Sequence, residues 1–381
     1  MDYLERAKQI ESDLNAIRQD LHRHPELGNN ENWTSDYLER ILKGLGLDVK
    51  RILGTALVAT LYGKEKGKKV GLRADMDALP VSEATNCAFK SLNDGTMHAC
   101  GHDIHMTAAI GAAKILSENK DHLNGDVVFL FQPDEEGKGG AQRMIDAGAI
   151  DGVSAVFGGH VAPDLPVGTF GFRYGKFYTA SDVITVTVHG KSCHGATPEK
   201  GRNALLAAVE MVSALSKVHA PNNDRCVFTI GQLLSGTACN IIADKAMFSG
   251  ILRTLGPENR NYMRQAIKET VAKLDAQFGV SSEVEIRDSY GGVVNTDAET
   301  SLFEKTSRSL FGDDRTKILD EPTMTTEDFG YFIDACSGSF CHIGAGCTEP
   351  LHSPTFLPDG KAAIYAAALY AKTIENYLKT T

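Results

Sequence analysis

The octet HACGHDIH, residues 98–105, places three histidines, a cysteine and an aspartate in eight positions. Imidazole and thiolate are both ligands for zinc and its first-row neighbours. A thiol beside an imidazole is equally the beginning of a cysteine nucleophile, and a polar loop is the third reading. Cys100 and His102 alternate by two, so on an extended or loop backbone both side chains point one way. A second group narrows the choice. Glu135 and Glu136 close the apolar run DVVFLFQP, where neighbouring residues project in different directions, so one carboxylate can bind a metal while the other serves as base. His160 ends a further apolar run, SAVFGG. A cysteine hydrolase gives the acidic pair no task, and a metal site does. A purely structural zinc would be closed by four ligands in two short pairs. These candidates are spread over separate strands with carboxylates among them, which favours metal-assisted catalysis.

The elements that must position these residues are legible as patterns. Apolar positions at three-to-four spacing through Leu4–Leu21 and Tyr37–Leu45 predict two opening helices. Then ALVATLYG and KVGLRADM read as buried strands, TAAIGAAKILSEN as a helix, DVVFLFQP as a strand, GGAQRMIDAGA as a helix and SAVFGGH as a strand. That alternation predicts an α/β layer with a mixed, mostly parallel sheet flanked by helices. Ligands of such sheets sit beyond the carboxyl ends of the strands, where Asp75, Asp77, Glu135, Glu136 and His160 all fall. From Ser181 the texture changes to βαββαβ, the order of a ferredoxin-like α+β sandwich. It ends near Tyr290, and GGVVNT reads as a linker. The expected organisation is a domain of residues 1–180 and 291–381 with residues 181–290 inserted.

Composition restricts the partners. A formal net charge of −10 with no segment concentrating Lys and Arg argues against nucleic acid and anionic membranes and for a small-molecule substrate. The chain shows no secretory h-region and no apolar run near the roughly 18 residues that span a bilayer, so the expected location is the cytoplasm. Eight cysteines scattered over 381 residues do not form a disulfide framework.

The same residues resemble the M20 metallopeptidase family, in its amidohydrolase branch of hippurate hydrolases, N-acyl-amino-acid deacetylases and auxin-conjugate hydrolases. The resemblance runs nearly end to end, through IRQDLHRHPELG, LRADMDALPV, DGTMHACGHDIHM, FQPDEEGKGGAQRMIDAGAIDGVSAVFGGHVAPDLPVGT, CHGATPEKGRNAL, TACNIIAD, TEDF and EPLHSP. It implies a di-zinc peptidase-like catalytic domain and gives the inserted domain the role of lid and dimerisation surface. Cys100, His102, Glu136, His160 and His352 then bind two divalent ions, Zn, Mn, Co or Ni, with Glu135 as general base. His194 matches the small-domain histidine that stabilises the oxyanion, and Asn240 and Arg253 match positions holding the oxyanion or a substrate carboxylate. Asp75, Asp77, His98, Asp103, His105 and Glu327 become groups that orient the ligands. His22 and His24 match a motif read as structural at a helix end. The implied reaction is hydrolysis of an amide in an N-acyl amino acid or short peptide, by a homodimer formed through the inserted domain.

The chain departs from the family pattern at three places, with Ser192 and Cys193 for a glycine pair, Ala243 for a proline and Asp134 for an alanine. None removes a proposed ligand. The rival of a different class is a non-catalytic relative, a binding or regulatory protein that keeps the fold and a single structural metal.

Overall fold

Apolar runs and helical spacings resolve, in a computed structural model describing residues 1–221 and 224–380, into a regular series of elements. In chain order these are α1 (Tyr3–Gln9), α2 (Glu11–Arg23), α3 (Asn32–Gly44), β1 (Asp48–Ile52), β2 (Ala56–Leu61), β3 (Lys68–Asp75), α4 (His102–Glu118), β4 (Gly125–Gln132), α5 (Ala141–Asp146), β5 (Val153–Ala162) and β6 (Phe170–Phe172). There follow β7 (Gly175–Tyr178), β8 (Ala180–His189), α6 (Ala204–Leu215), β9 (Val227–Ser235), β10 (Lys245–Thr254), α7 (Pro257–Phe278), β11 (Ser281–Tyr290) and β12 (Val293–Asn295). The series closes with α8 (Asp297–Phe311), β13 (Thr316–Ile318), α9 (Gly330–Ala335), β14 (Gly338–Gly344) and α10 (Lys361–Leu378). Among the described residues no helix is long and apolar enough to cross a membrane.

Two compact units result. The first comprises Met1–Gly175, Val294–Glu321 and Asp328–Thr381, the second Lys176–Val293 and Pro322–Glu327. The first carries an eight-stranded sheet in the order β1-β2-β4-β3-β5-β14-β6-β13. Its four central strands, β4, β3, β5 and β14, are mutually parallel, and β1, β2 and β6 add antiparallel neighbours. This is the mixed, mostly parallel sheet expected. Strands β3, β4 and β5 are buried along nearly their whole length, as strands covered on both faces must be. Helices α4 and α10 pack on each other and on β3. A Cβ at Gly111 of α4 would come within 2.6 Å of Ala367 Cβ on α10, so the close approach depends on small residues on both helices.

Helix α4 begins at His102, five residues before the expected TAAIGAAKILSEN. Its polar first turn hides the apolar period: His102, Asp103 and His105 are buried with most of the helix, held by partners rather than exposed. Gly101 precedes it in the left-handed conformation (φ 83°), where a Cβ would meet Val161 Cγ2 at 2.6 Å. The alternation argument for Cys100 and His102 therefore does not apply, since the pair straddles a turn into a helix.

The second unit carries a four-stranded sheet in the order β11-β8-β10-β9, all antiparallel. With α6 and α7 packed on each other and against it, this is the ferredoxin-like arrangement. The period-two burial of β8 shows one face of that sheet covered. Val293–Asn295, expected within a linker, is instead a short strand paired with β7.

Candidate metal centre

The parallel strands deliver the candidates to one rim. Asp75 is the last residue of β3, Glu135 and Glu136 follow the end of β4, and His160 lies near the end of β5. The chain leaving β14 carries His352, whose N–H donates to Ala99 O at 2.8 Å, joining it to the HACGHDIH segment. Donor atoms of Cys100, His102 and His160 all lie within 4.8 Å of one another, as do those of Cys100, Glu136 and His352, and those of His102, Glu135 and Glu136. Cys100 Sγ is 3.2 Å from His160 Nε2, and His352 Nε2 is 3.1 Å from Glu136 Oε1.

Backbone partners fix which ring nitrogens face this cluster. His102 Nδ1 lies 2.8 Å from Asp77 O and His160 Nδ1 2.8 Å from Val161 O. A carbonyl only accepts, so both Nδ1 atoms carry protons and both Nε2 atoms face the cluster. Burial opposes the charged form of His102, yet Asp75 and Asp77 raise its pKa to about 10, so a metal ion at its Nε2 would displace a proton there. His105 differs. Val161 N–H donates to its Nε2 at 2.9 Å and its Nδ1 binds Asp75 Oδ1 at 2.6 Å. Although His105 sits within ligand distance of Asp75 and His102, both nitrogens are committed, and it is a strut between α4, β3 and β5. Asp75, expected to orient a ligand imidazole, holds His105, accepts from Arg73 Nη1 at 2.8 Å and has Oδ2 3.7 Å from His102 Nε2.

The acidic pair is set by a left-handed turn. Asp134 has φ 60°, a conformation costing most residues about 1–2 kcal/mol but tolerated by Asp. Glu31 Oε1 accepts its N–H at 3.0 Å. The next two N–H groups, of Glu135 and Glu136, donate to Asp77 Oδ1 and Oδ2 at 3.0 and 2.9 Å. Asp77 thus orients His102 through its carbonyl and both glutamates through its carboxylate.

The charges suit a cation. Burial pushes the Cys100 thiol pKa well up, and Glu136, Glu135 and Asp75 push it further. That is the reverse of a nucleophilic cysteine, whose thiolate is stabilised by nearby positive charge. His160 would be a poor base for it, because burial holds its pKa down at about 3. Burial opposes the ionised form of Glu136, yet the His352 and His102 imidazoles bring its pKa to about 2. His102 Nε2 and Glu136 Oε1 are buried with no aligned hydrogen-bond partner. Among the described residues, a buried His102 Nε2 without a hydrogen-bond partner, a thiol among carboxylates and the His160 Nε2 facing them together form a donor set that divalent metal ions fit.

The remaining expected residues lie further out. Asp103 does not orient a ligand ring. It accepts from Arg18 Nε at 3.1 Å and pairs with His22 Nδ1 at 2.9 Å. His98 is fully buried with neither ring nitrogen hydrogen-bonded, and burial lowers its pKa to about 3, which keeps it neutral. Sequence reasoning missed Arg18, Glu31, Glu83, Arg73 and Asp328, all buried behind the site. Asp328 accepts from Arg73, from Gln132 and from the Ala141 N–H, fastening the chain that leaves β4.

Glu327, His194, Asn240 and Arg253 belong to the second unit. Glu327 is buried, while His194 and Asn240 are exposed. Ala196 N–H donates to His194 Nδ1 at 3.0 Å, so the neutral ring carries its proton on Nε2. Gly195 N–H donates to Asn240 O at 2.8 Å, placing the two residues on paired segments. Arg253, on β10, is partly buried and its Nε makes no hydrogen bond among the described residues.

Comparison with known proteins gives a consistent answer. An N-acetyl-L-cysteine deacetylase of Bacillus subtilis is 34% identical over 374 residues, covering 97% of this chain and 89% of its own. Thermostable carboxypeptidase 1 of Saccharolobus solfataricus is 35% identical over 396 residues, covering 99% and 100%. The crystal structure of a Bacillus subtilis protein, described as a dinuclear metal-binding peptidase of the M20 family, matches with a TM-score of 0.89 at 32% identity, over 98% of this chain and 100% of that one. The profile of peptidase family M20/M25/M40 matches residues 71–376. With the metal-fitting donor cluster at the sheet rim and relatives matched over almost their full length, the chain belongs to peptidase family M20/M25/M40, as a metal-dependent amidohydrolase.

Proposed function

We propose that this enzyme hydrolyses the amide bond of N-acyl amino acids, holding two divalent ions on Cys100, His102, Glu136, His160 and His352, with Glu135 as general base. The observation that carries the reading is the overlap of donor groups: Cys100–His102–His160 and Cys100–Glu136–His352 share the thiol and together exceed what one tetrahedral ion takes. The thiolate and imidazoles favour zinc, while manganese, cobalt and nickel suit related sites. When bound, the ions would supply Lewis acidity toward the amide carbonyl and a lowered pKa for water.

The chain's own groups do the rest. Glu135 Oε2 lies 4.0 Å from His102 Nε2, and its carboxylate takes the proton of the attacking water and passes it to the leaving amine. His194, protonated on Nε2, donates to the developing oxyanion and Asn240 assists. Arg253 pairs its fork with the carboxylate of the leaving amino acid. These three rest on the sequence resemblance, with the His194 tautomer and the unpartnered Arg253 Nε in support. A deacetylase acting on N-acetylcysteine and a carboxypeptidase both cut an amide whose nitrogen belongs to an amino acid with a free carboxylate. That shared feature is the substrate class we assign. The exposed Leu206 and Val209 of α6 and Leu233 and Leu234 of edge strand β9 support a homodimer through the second unit, which the molecular mass in solution tests.

Replacing Glu135 with Ala tests the reading. Metal content by elemental analysis stays at the wild-type level, while turnover of a panel of N-acyl amino acids falls by roughly 10²–10⁴-fold. Unchanged turnover would remove Glu135 from the mechanism.

A further inference from the structure

A buried charged network behind the HACGHDIH segment has no part in the reaction above. His22, in the last turn of α2, is wholly buried, with Nδ1 2.9 Å from Asp103 Oδ2 and Nε2 3.3 Å from Glu83 Oε1. Arg18 Nε donates to the same Asp103 oxygen, and its guanidinium lies over the Phe89 ring, 5.2 Å from the centroid. Glu83 also accepts from the Thr85 hydroxyl and from the Ser91 N–H. Carboxylates on both ring nitrogens make His22 a double donor, one cation between two anions.

Each end of this bridge continues into a segment carrying a candidate ligand. Asp103 follows His102 in the first turn of α4. Glu83 precedes Ala84, whose N–H donates to Pro354 O at 2.8 Å, two residues past His352. Of the five candidate ligands His352 is the exposed one, its side chain 52% accessible on a left-handed residue of φ 67°. Its own side chain is not held by packing, although Leu351 before it packs on the core and Phe356 after it is buried there. Between those two anchors the segment is tied by backbone bonds to Ala84 and to Ala99, and Ala84 is next in the chain to Glu83. Buried ion networks contribute little net stability compared with apolar packing. What this one supplies is a fixed spacing between two stretches of chain.

We propose that His22 is a positioning residue: by clamping Asp103 to Glu83 it sets the spacing of the segments that bear His102 and His352, and so the affinity for the second metal ion. This rests on the ligand assignment given above.

The test titrates Zn²⁺ into metal-stripped, full-length protein against a chromophoric chelator. Wild type takes up two ions. His22→Gln and Glu83→Gln each keep the tighter one and bind the other about tenfold or more weakly, the usual effect of losing a residue behind a ligand. The double variant is no worse than the weaker single, because both cut one bridge. Phe303→Leu, a core substitution elsewhere in the first unit, is the control that lowers Tm without moving either affinity. If His22→Gln lowers Tm while both affinities stay within twofold of wild type, His22 is only a packing element and the proposal is overturned. Should His22→Gln fail to fold, Glu83→Gln carries the same expectation. If wild type does not take up two ions, or Cys100→Ala takes up both unchanged, the ligand assignment itself has failed. Two ions in wild type and in both bridge variants, with unchanged affinity, would leave the assignment standing and remove only the role of His22.

Discussion

The candidate ligands of the first unit and the candidate substrate groups of the second are built in opposite ways. In the first unit His102 and His160 each have one nitrogen spent on a backbone carbonyl, and the acidic pair hangs from Asp77 by two N–H bonds. His105 is locked at both nitrogens. In the second unit the His194 ring has one backbone bond, Asn240 is exposed and the Arg253 Nε has no hydrogen-bond partner among the described residues. Donor geometry around a metal must be prepared before the ion arrives. Groups that meet a substrate keep their donors free, because an unspent hydrogen bond is what discriminates one ligand from another. The contrast therefore separates substitutions that empty the site from those that leave it loaded and slow.

The largest effect tests the prepared half. Stripping the metal with a chelator, or replacing Cys100 with Ala, should lower turnover by about 10³-fold or more, since a bound ion supplies several kcal/mol of transition-state stabilisation. Zinc readdition should restore the stripped wild type and not the variant. Iodoacetamide should leave the loaded enzyme active. Activity that survives chelation but not alkylation would return Cys100 to the role of nucleophile and break the comparison at its root.

Next come the groups with free donors. His194→Ala should leave metal content unchanged and lower kcat by about 10²-fold, the loss expected for one oxyanion donor. Metal lost together with activity would place His194 with the ligands and erase the contrast. Arg253→Lys should act more mildly, raising KM for an N-acetyl amino acid by roughly tenfold with kcat near wild type, because an ammonium cannot reproduce the planar fork. The same substitution should not change KM for the corresponding amino-acid amide, which lacks the carboxylate.

How far these roles were legible follows from the physics of each region. Period and run length reveal strands and helices, so the parallel centre and the βαββαβ unit were readable. Residue types in HACGHDIH showed metal chemistry but not which imidazole ligates, because the deciding partners, Asp77 O, Val161 O and Val161 N–H, are backbone atoms brought in by other strands. Spacing misplaced Cys100 and His102, since a left-handed glycine between them converts alternation into a helix start. Arg18 left a usable signal: with Leu14, Leu21 and His22 it occupies the buried face of α2, and a charge on an apolar stripe calls for a buried partner. Glu31 and Glu83 left none, as each lies in a polar stretch that reads as loop.

The smallest effect concerns stability and returns to His22. Burial opposes its charged form, but Asp103 and Glu83 raise its pKa from 6.5 to about 9. A group that binds its proton more tightly when folded stabilises the fold fully below its unfolded pKa, here near 6.5, and loses that contribution as pH rises through about 9. Glu83 behaves conversely. Burial opposes its ionisation, yet its partners lower its pKa to about 2, so its contribution is complete above about 4.5 and fades as pH falls toward 2. The bridge is therefore strongest between about pH 4.5 and 6.5. On metal-free protein, the Tm difference between wild type and His22→Gln should be largest near pH 6 and shrink by several degrees on approaching about pH 9.5. His194→Gln, altering an exposed ring with a single backbone bond, should leave Tm unmoved over the same range. A His22 difference that stays flat across that range would mean that the ring is neutral in the folded protein, reducing the clamp to an ordinary hydrogen bond and with it the distinction between a prepared half and an open one.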